Sequence, residues 1–153
     1  EVSAENSVRE ALAADISSFG TEGNLFSSTA DETVEKIRKV LEERSRFFRK
    51  SLSEKAECCV CGIHRLSLLK AVPYGEGGMK HKGLVLCPIH AALFAAHLIS
   101  FSDRGKVLVS PSVTEEEKEQ FGLTKGMDAR YAFSRRRMAV HRRIFNQKGR
   151  KEK

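Results

Sequence analysis

The chain has 153 residues, 41% hydrophobic and 31% charged, with 27 Lys and Arg against 20 Asp and Glu for a net charge of +7. That length suits one domain with extensions, built around a thin core with many residues left for tails and solvated faces. A disordered or collagen-like chain is excluded by composition. An integral membrane protein is excluded because no apolar run nears the roughly 20 residues of a spanning helix, and the polar start EVSAENSVRE has no signal-peptide core. The first residue is not Met, which reads as a fragment.

Residues 1–30 are rich in Ser, Gly and other small residues, and read as a flexible segment with a short helix near Val8–Ile16 and a linker through Gly20 and Gly23. Thr29 and Asp31 are candidate caps for the next helix, expected over 31–52. Val34, Ile37, Leu41 and Phe48, with Val40 and Phe47 beside them, form an apolar stripe expected to pack on the domain. Leu66–Ala71 and Gly83–Leu86 read as paired strands joined by the Gly75–Gly78 loop. Pro88 suits the first turn of a helix reaching Ala96, because the N–H it lacks has no partner there. His97–Phe101 and Lys106–Ser110 flank the turn Ser102-Asp-Arg-Gly105 as a hairpin. Thr114-Glu-Glu-Glu117 is a capping box opening a short acidic helix. A last helix is expected from Asp128 to Phe145, with Tyr131, Met138 and Phe145 facing inward, followed by a disordered basic tail, 147–153.

The positive charge is local. From Ala129 onward there are ten Lys and Arg and one acid, a net of +9, while the remainder holds 17 basic and 19 acidic residues, a net of −2. A basic helix carrying Arg135, Arg136, Arg137, Arg142 and Arg143 can neutralise phosphates and release their counterions. A solvated basic face is the plain alternative.

All four cysteines fall between positions 58 and 87. Cys58-x-x-Cys61 and Cys87-x-x-His90 are two short pairs, each presenting two soft ligands from one turn, so together they can close a tetrahedron around Zn²⁺. The second pair lies where a strand gives way to a helix, which is the treble-clef arrangement. The helix N-terminus there favours a thiolate at Cys87. Four protein ligands leave no open position, so the zinc is expected to build the fold rather than catalyse. Paired spacings argue against a disulfide and for an intracellular protein (cytoplasm, nucleoid or nucleus). Cys59 is left over.

The run ECCVCG…LLKAVPYGEGG…KGLVLCPIHAALFAAHLISFSDRGKVLVSPS resembles the HNH (His-Me finger) nuclease domain of restriction endonucleases. RSRFFRKSL and AVHRRIF are similar to its flanking helices, so the resemblance spans roughly residues 44–146. In that family a His at the end of the first strand activates water, an Asn orients it, and a helix His with a nearby Asp holds a divalent ion on the scissile phosphate. Carried over, these positions fall on Pro73, Lys82, Ala91 and Ala95, none of which can act as a base or bind Mg²⁺. Ala91 alone is what an engineered knock-out would leave; four coincident losses are not. His81 is the remaining candidate base, although its Gly/Lys-rich loop reads as leaving it simply exposed. His64 and His97 read as structural or exposed, and His141 as either a phosphate contact or a surface residue.

The sequence therefore predicts an α+β fold: a zinc-bound treble-clef, HNH-like ββα core over 31–146 with flanking helices. Its expected function is DNA or other nucleic-acid binding without cleavage, through Lys82 and the five arginines. The alternatives are an active nuclease using Mg²⁺ or Mn²⁺ with His81 or His97 displaced into the site, and a protein-interaction scaffold docking through the 31–52 helix and the acidic helix.

Overall fold

The computed structural model describes residues 30–53 and 55–151, so the expected helix at 8–16, the Gly20–Gly23 linker and the Thr29 cap lie outside the described residues. Helix α1 spans Ala30–Leu52, with Asp31 and Glu32 in its first turn and Arg49 and Lys50 in its last, charges that complement the helix dipole. Its stripe is only half used. Phe47 and Ser51 are buried, but Val34 is 57% exposed, so the expectation that the whole stripe packs on the domain holds for the C-terminal half alone. Ser51 fixes that half: its hydroxyl donates to the Phe47 carbonyl at 2.7 Å and accepts from Gly83 N–H at 2.8 Å. A side chain at Gly83 would collide with the Phe47 ring and come within 2.9 Å of the Val72 carbonyl oxygen, so only glycine lets the helix approach this closely.

The first hairpin pairs β1 (Lys70–Val72) with β2 (Leu84–Leu86), antiparallel, with Ala71 opposite Val85. Residues 66–68, expected as strand, form a 3₁₀ turn instead. Three-residue strands hold few ladder bonds, so the outer edge of β2 is satisfied by other segments. The Val85 carbonyl accepts from Cys59 N–H at 3.0 Å, and the Tyr131 hydroxyl both accepts from Val85 N–H and donates to its carbonyl, at 2.9 Å each. Cys87 then caps α2 (Pro88–Ala95), with Pro88 in the first turn.

The end of α2 explains His97. Leu98 N–H bonds the Leu93 carbonyl and His97 N–H the Phe94 carbonyl, the Schellman pattern, which places His97 at φ 59° in the position where glycine is usual. His97 therefore terminates a helix rather than beginning a strand. The second hairpin pairs β3 (Ile99–Phe101) with β4 (Val107–Val109), and helix α3 (Glu115–Gln120) opens with both hydrogen bonds of the Thr114–Glu117 capping box.

The last helix, α4, spans Arg135–Lys151, which corrects the expected 128–145 at both ends. Residues 128–134 are held as a loop because tertiary partners take their polar groups. Ala129 N–H bonds the Gly105 carbonyl and Arg130 N–H the Cys59 carbonyl, and Ser134 accepts from Arg137 N–H at 3.3 Å as the cap. At the other end the expected disordered tail is helical through Lys151, where Phe145 and Gly149 are buried. Met138 and Phe145 face inward as expected, whereas Tyr131 reaches β2 from the loop.

His141 sits at the centre of this interface, buried rather than on the surface. Its Nε2–H donates to the Phe94 carbonyl at 2.7 Å, which leaves Nδ1 to accept from the Ser100 hydroxyl at 2.9 Å. The ring stacks on Phe94 with centroids 3.7 Å apart and on His97 at 4.3 Å. Burial, with His97 and Lys148 nearby, lowers its pKa from 6.5 to about 4. Between those values the unfolded chain binds a proton that the folded chain refuses, so stability falls as pH drops through the window. From the shift, the loss approaches about 3 kcal/mol. Urea unfolding at pH 7.5, 6 and 5 is expected to show this slope in the wild type and a flatter one in His141→Asn; parallel slopes would contradict it.

Candidate metal centre and basic surface

The knuckle 58–61 is closed by Gly62 N–H to the Cys58 carbonyl at 2.9 Å and Cys58 N–H to the Ile63 carbonyl at 2.8 Å, with Gly62 at φ 77°. The Cys59 bond to Val85 lays this turn against β2, where Cys87 and His90 leave the strand–helix joint. The ligand atoms of Cys58, Cys61, Cys87 and His90 all lie within 4.8 Å of one another. His90 Nδ1 is 3.2 Å from Cys87 Sγ and 3.5 Å from Cys58 Sγ, and the Cys61 and Cys87 sulfurs are 3.9 Å apart. Ligands at about 2.3 Å from a central tetrahedral ion would stand about 3.7 Å apart, so the four are spaced to hold a metal ion, and the three-sulfur, one-nitrogen set suits Zn²⁺.

Surrounding groups orient the set. His90 Nε2–H donates to the Phe121 carbonyl at 2.8 Å, which fixes the tautomer that turns a lone pair on Nδ1 toward the sulfurs. Burial pushes the Cys58 thiol up, but its contact with His90 and hydrogen bonds from the backbone outweigh it and lower its pKa to about 6. Burial, together with the neighbouring Cys58, pushes Cys61 up to about 12. A cation among these sulfurs would reverse that and release protons on binding. Cys59 is fully buried but turned away, its sulfur 3.8 Å from the Tyr131 carbonyl, and is not in the cluster. The Phe121 carbonyl and the Cys59 backbone carry no signal in the sequence, since any residue could supply them.

The basic residues divide. Arg135, Arg136 and Arg143 are exposed on α4. Arg142 is engaged internally, donating to the Phe101 carbonyl at 3.0 Å and pairing with Asp103 at 2.9 Å. Arg137 donates to the Lys82 carbonyl at 2.9 Å and lies 4.5 Å over the Tyr74 ring, so it and Lys82 belong to one cluster. His64 and His81 are exposed. The positions onto which the sequence resemblance carried a catalytic set separate likewise: Pro73, Ala91 and Ala95 border a cleft of about 580 Å³ between α1, β1 and α2, whereas Lys82, with His81, lines another cleft beside Arg137. No described helix is long and apolar enough to cross a membrane.

No family model matches the chain, and no curated protein matches it significantly.

Metal analysis is expected to find one zinc per chain, lost in Cys87→Ser and His90→Ala together with most of the cooperative unfolding transition. Cys59→Ala is expected to keep the zinc while losing about 1 kcal/mol of packing. Loss of zinc in Cys59→Ala would show the ligand assignment to be wrong.

Proposed function

We propose that this chain is a nucleic-acid-binding module of HNH type, a zinc-built treble clef that grips phosphates without cutting them. The observation that carries the reading is the lining of the α1–β1–α2 cleft. An HNH nuclease keeps its base and its ion there. Here the lining is Ala71, Val72, Pro73, Met79, Ala91 and Ala95 with other apolar and basic neighbours, and no His, Cys, Asp or Glu among the described residues. Phosphodiester hydrolysis by this route needs a base for the water and an ion on the scissile phosphate, and these side chains offer neither. The order hairpin, ligand pair, helix (β1, β2, Cys87, α2) supports the resemblance. Zinc when bound would hold the knuckle to the strand–helix joint, and the thiol ligands suit a reducing, intracellular compartment.

The grip is assigned to the exposed edge of α4. Its first turn has three arginines and no acid, an arrangement unfavourable against the helix dipole that an anion near Arg135 and Arg136 would offset. Arg135, Arg136 and Arg143 would meet the backbone, which gives affinity without sequence preference. The nuclease alternative finds little support. His81 faces a different cleft, and His97 is stacked on His141. The docking alternative is favoured by one observation, the Val34–Ile37–Leu41 face of α1, where Val34 is exposed and Ile37 and Leu41 are half-buried.

A supercoiled plasmid incubated with the zinc-loaded protein and Mg²⁺ or Mn²⁺ is expected to stay supercoiled and to shift in mobility until protease is added. Nicked or linear product would overturn the non-cutting reading. Neither cleavage nor shift would favour the docking reading. Replacing Arg135, Arg136 and Arg143 with Glu is expected to weaken the shift at least tenfold. The slope of log affinity against log salt should also fall, by about one for each phosphate no longer neutralised.

A further inference from the structure

The cleft shared by Lys82 and Arg137 has properties that backbone contact along α4 does not require. It measures about 490 Å³ and lies between the end of α1, the start of β2 and the loop leading into α4. Lys50, Lys55, His81, Lys82 and Arg137 line it, and no carboxylate does among the described residues. Grouping Lys50, Lys55 and Arg137 in one concavity raises their mutual repulsion, and walls of low polarity focus the field toward its mouth. Tyr74, Tyr131 and Phe133 supply such walls.

Arg137 is held in a particular way. Nη1 is committed to the Lys82 carbonyl, and the guanidinium plane rests on the Tyr74 ring. Gly75 packs so tightly on it that an added Cβ would lie 2.7 Å from Arg137 Cβ. The opposite edge, Nε and Nη2, is buried with no partner among the described residues. That edge is the parallel pair of donors with which arginine grips two oxygens of one phosphate or carboxylate. Buried charged donors are costly to leave unmet, and Arg137 lines this basic cleft, so its fork is the group that an anion entering there would satisfy. Lys50 and Lys55, each a compact point charge, select a highly charged anion over a carboxylate.

We infer that this cleft is a phosphate-binding pocket, with the Arg137 Nε/Nη2 edge as its bidentate anchor and Lys50 and Lys55 beside the remaining oxygens. The phosphate is either a terminal monoester or a bridging diester of a nucleic acid; only this choice of source rests on the proposed function. The outer face of α4 then gives sequence-independent attachment, and the pocket fixes where along a strand the protein sits.

The test is calorimetric titration of the zinc-loaded protein with inorganic phosphate against chloride at equal ionic strength. The wild type is expected to bind one phosphate saturably, and Arg137→Gln to weaken it tenfold or more. Because Arg137 also ties the loop to Lys82, Lys55→Glu is the second variant. Its side chain is exposed, so it should fold normally and still lose phosphate tenfold. Arg104→Ala, in the β3–β4 turn, should bind as the wild type does. No saturable binding, or binding unchanged in Lys55→Glu, overturns the pocket. A second arm titrates one oligonucleotide with and without a 5′-phosphate. A preference of tenfold or more for the phosphorylated form, lost in both variants, assigns a terminal phosphate. Equal affinities that both variants weaken alike assign a backbone phosphate. Affinities that neither variant changes overturn a nucleic-acid phosphate in the pocket, even if the α4 face still binds. Phosphate bound without any oligonucleotide binding keeps the pocket and removes the nucleic-acid reading.

Discussion

The Cys58–Cys61–Cys87–His90 cluster brings together two separate parts of this chain, the 58–61 turn and the joint between β2 and α2. Both sheets are hairpins of three-residue strands, and isolated two-stranded hairpins are marginal in water. A metal held there would tie the 58–61 turn to the point where β2 becomes α2, and so brace both the outer edge of β2 and the direction in which α2 leaves it. From there the structure grows outward. The Cys59 backbone bonds Val85 on one side and Arg130 on the other, which brings the 126–134 loop across the hairpin and lets the Tyr131 hydroxyl finish the strand edge.

The second half of the molecule hangs from α2. Phe94 is fully buried between the two hairpins, with Phe101 at 6.0 Å and His141 stacked on it. Replacing such a ring with alanine costs about 3–5 kcal/mol in most cores. His141 adds direction to this packing, because its two nitrogens meet a carbonyl and a hydroxyl that must both be in place. Met138, His141 and Phe145 recur along α4 at helical spacing and seat it on β3. That seating turns the opposite face of the helix, with Arg135, Arg136 and Arg143, outward. The same packing draws Arg137 inward onto Tyr74, so the arginine run is split between a surface and a cleft by the 3.6-residue period alone.

The metal ligands were legible in the sequence because two ligands from one tight turn need a fixed short spacing, which survives whatever the rest of the chain does. The capping box at Thr114 and the Pro88 start of α2 were legible for the same reason: their hydrogen-bonding logic closes within four residues. The beginning of α4 was not. Residues 128–134 carry no strong breaker, and what keeps them from helix is a set of partners at Cys59, Val85 and Gly105, distant in sequence. The helical tail was misread for the converse reason, since its polar, basic composition looks unstructured until Phe145 and Gly149 are seen to be buried. His141 likewise gave no sequence signal of burial, because a histidine beside Arg142 and Arg143 reads as surface.

By itself the sequence determined the α+β class, the four residues that could hold a metal, the placement of its short helices and hairpins, and the concentration of positive charge near the C-terminus. These follow from local rules: turn geometry, periodicity, capping and composition. Only the tertiary structure decided which arginines face solvent, which histidines are buried, where α4 starts, and that Lys50, Lys55, Lys82 and Arg137 share one cleft. Those facts depend on packing between segments up to 87 residues apart in the chain, and no window of neighbouring residues contains them.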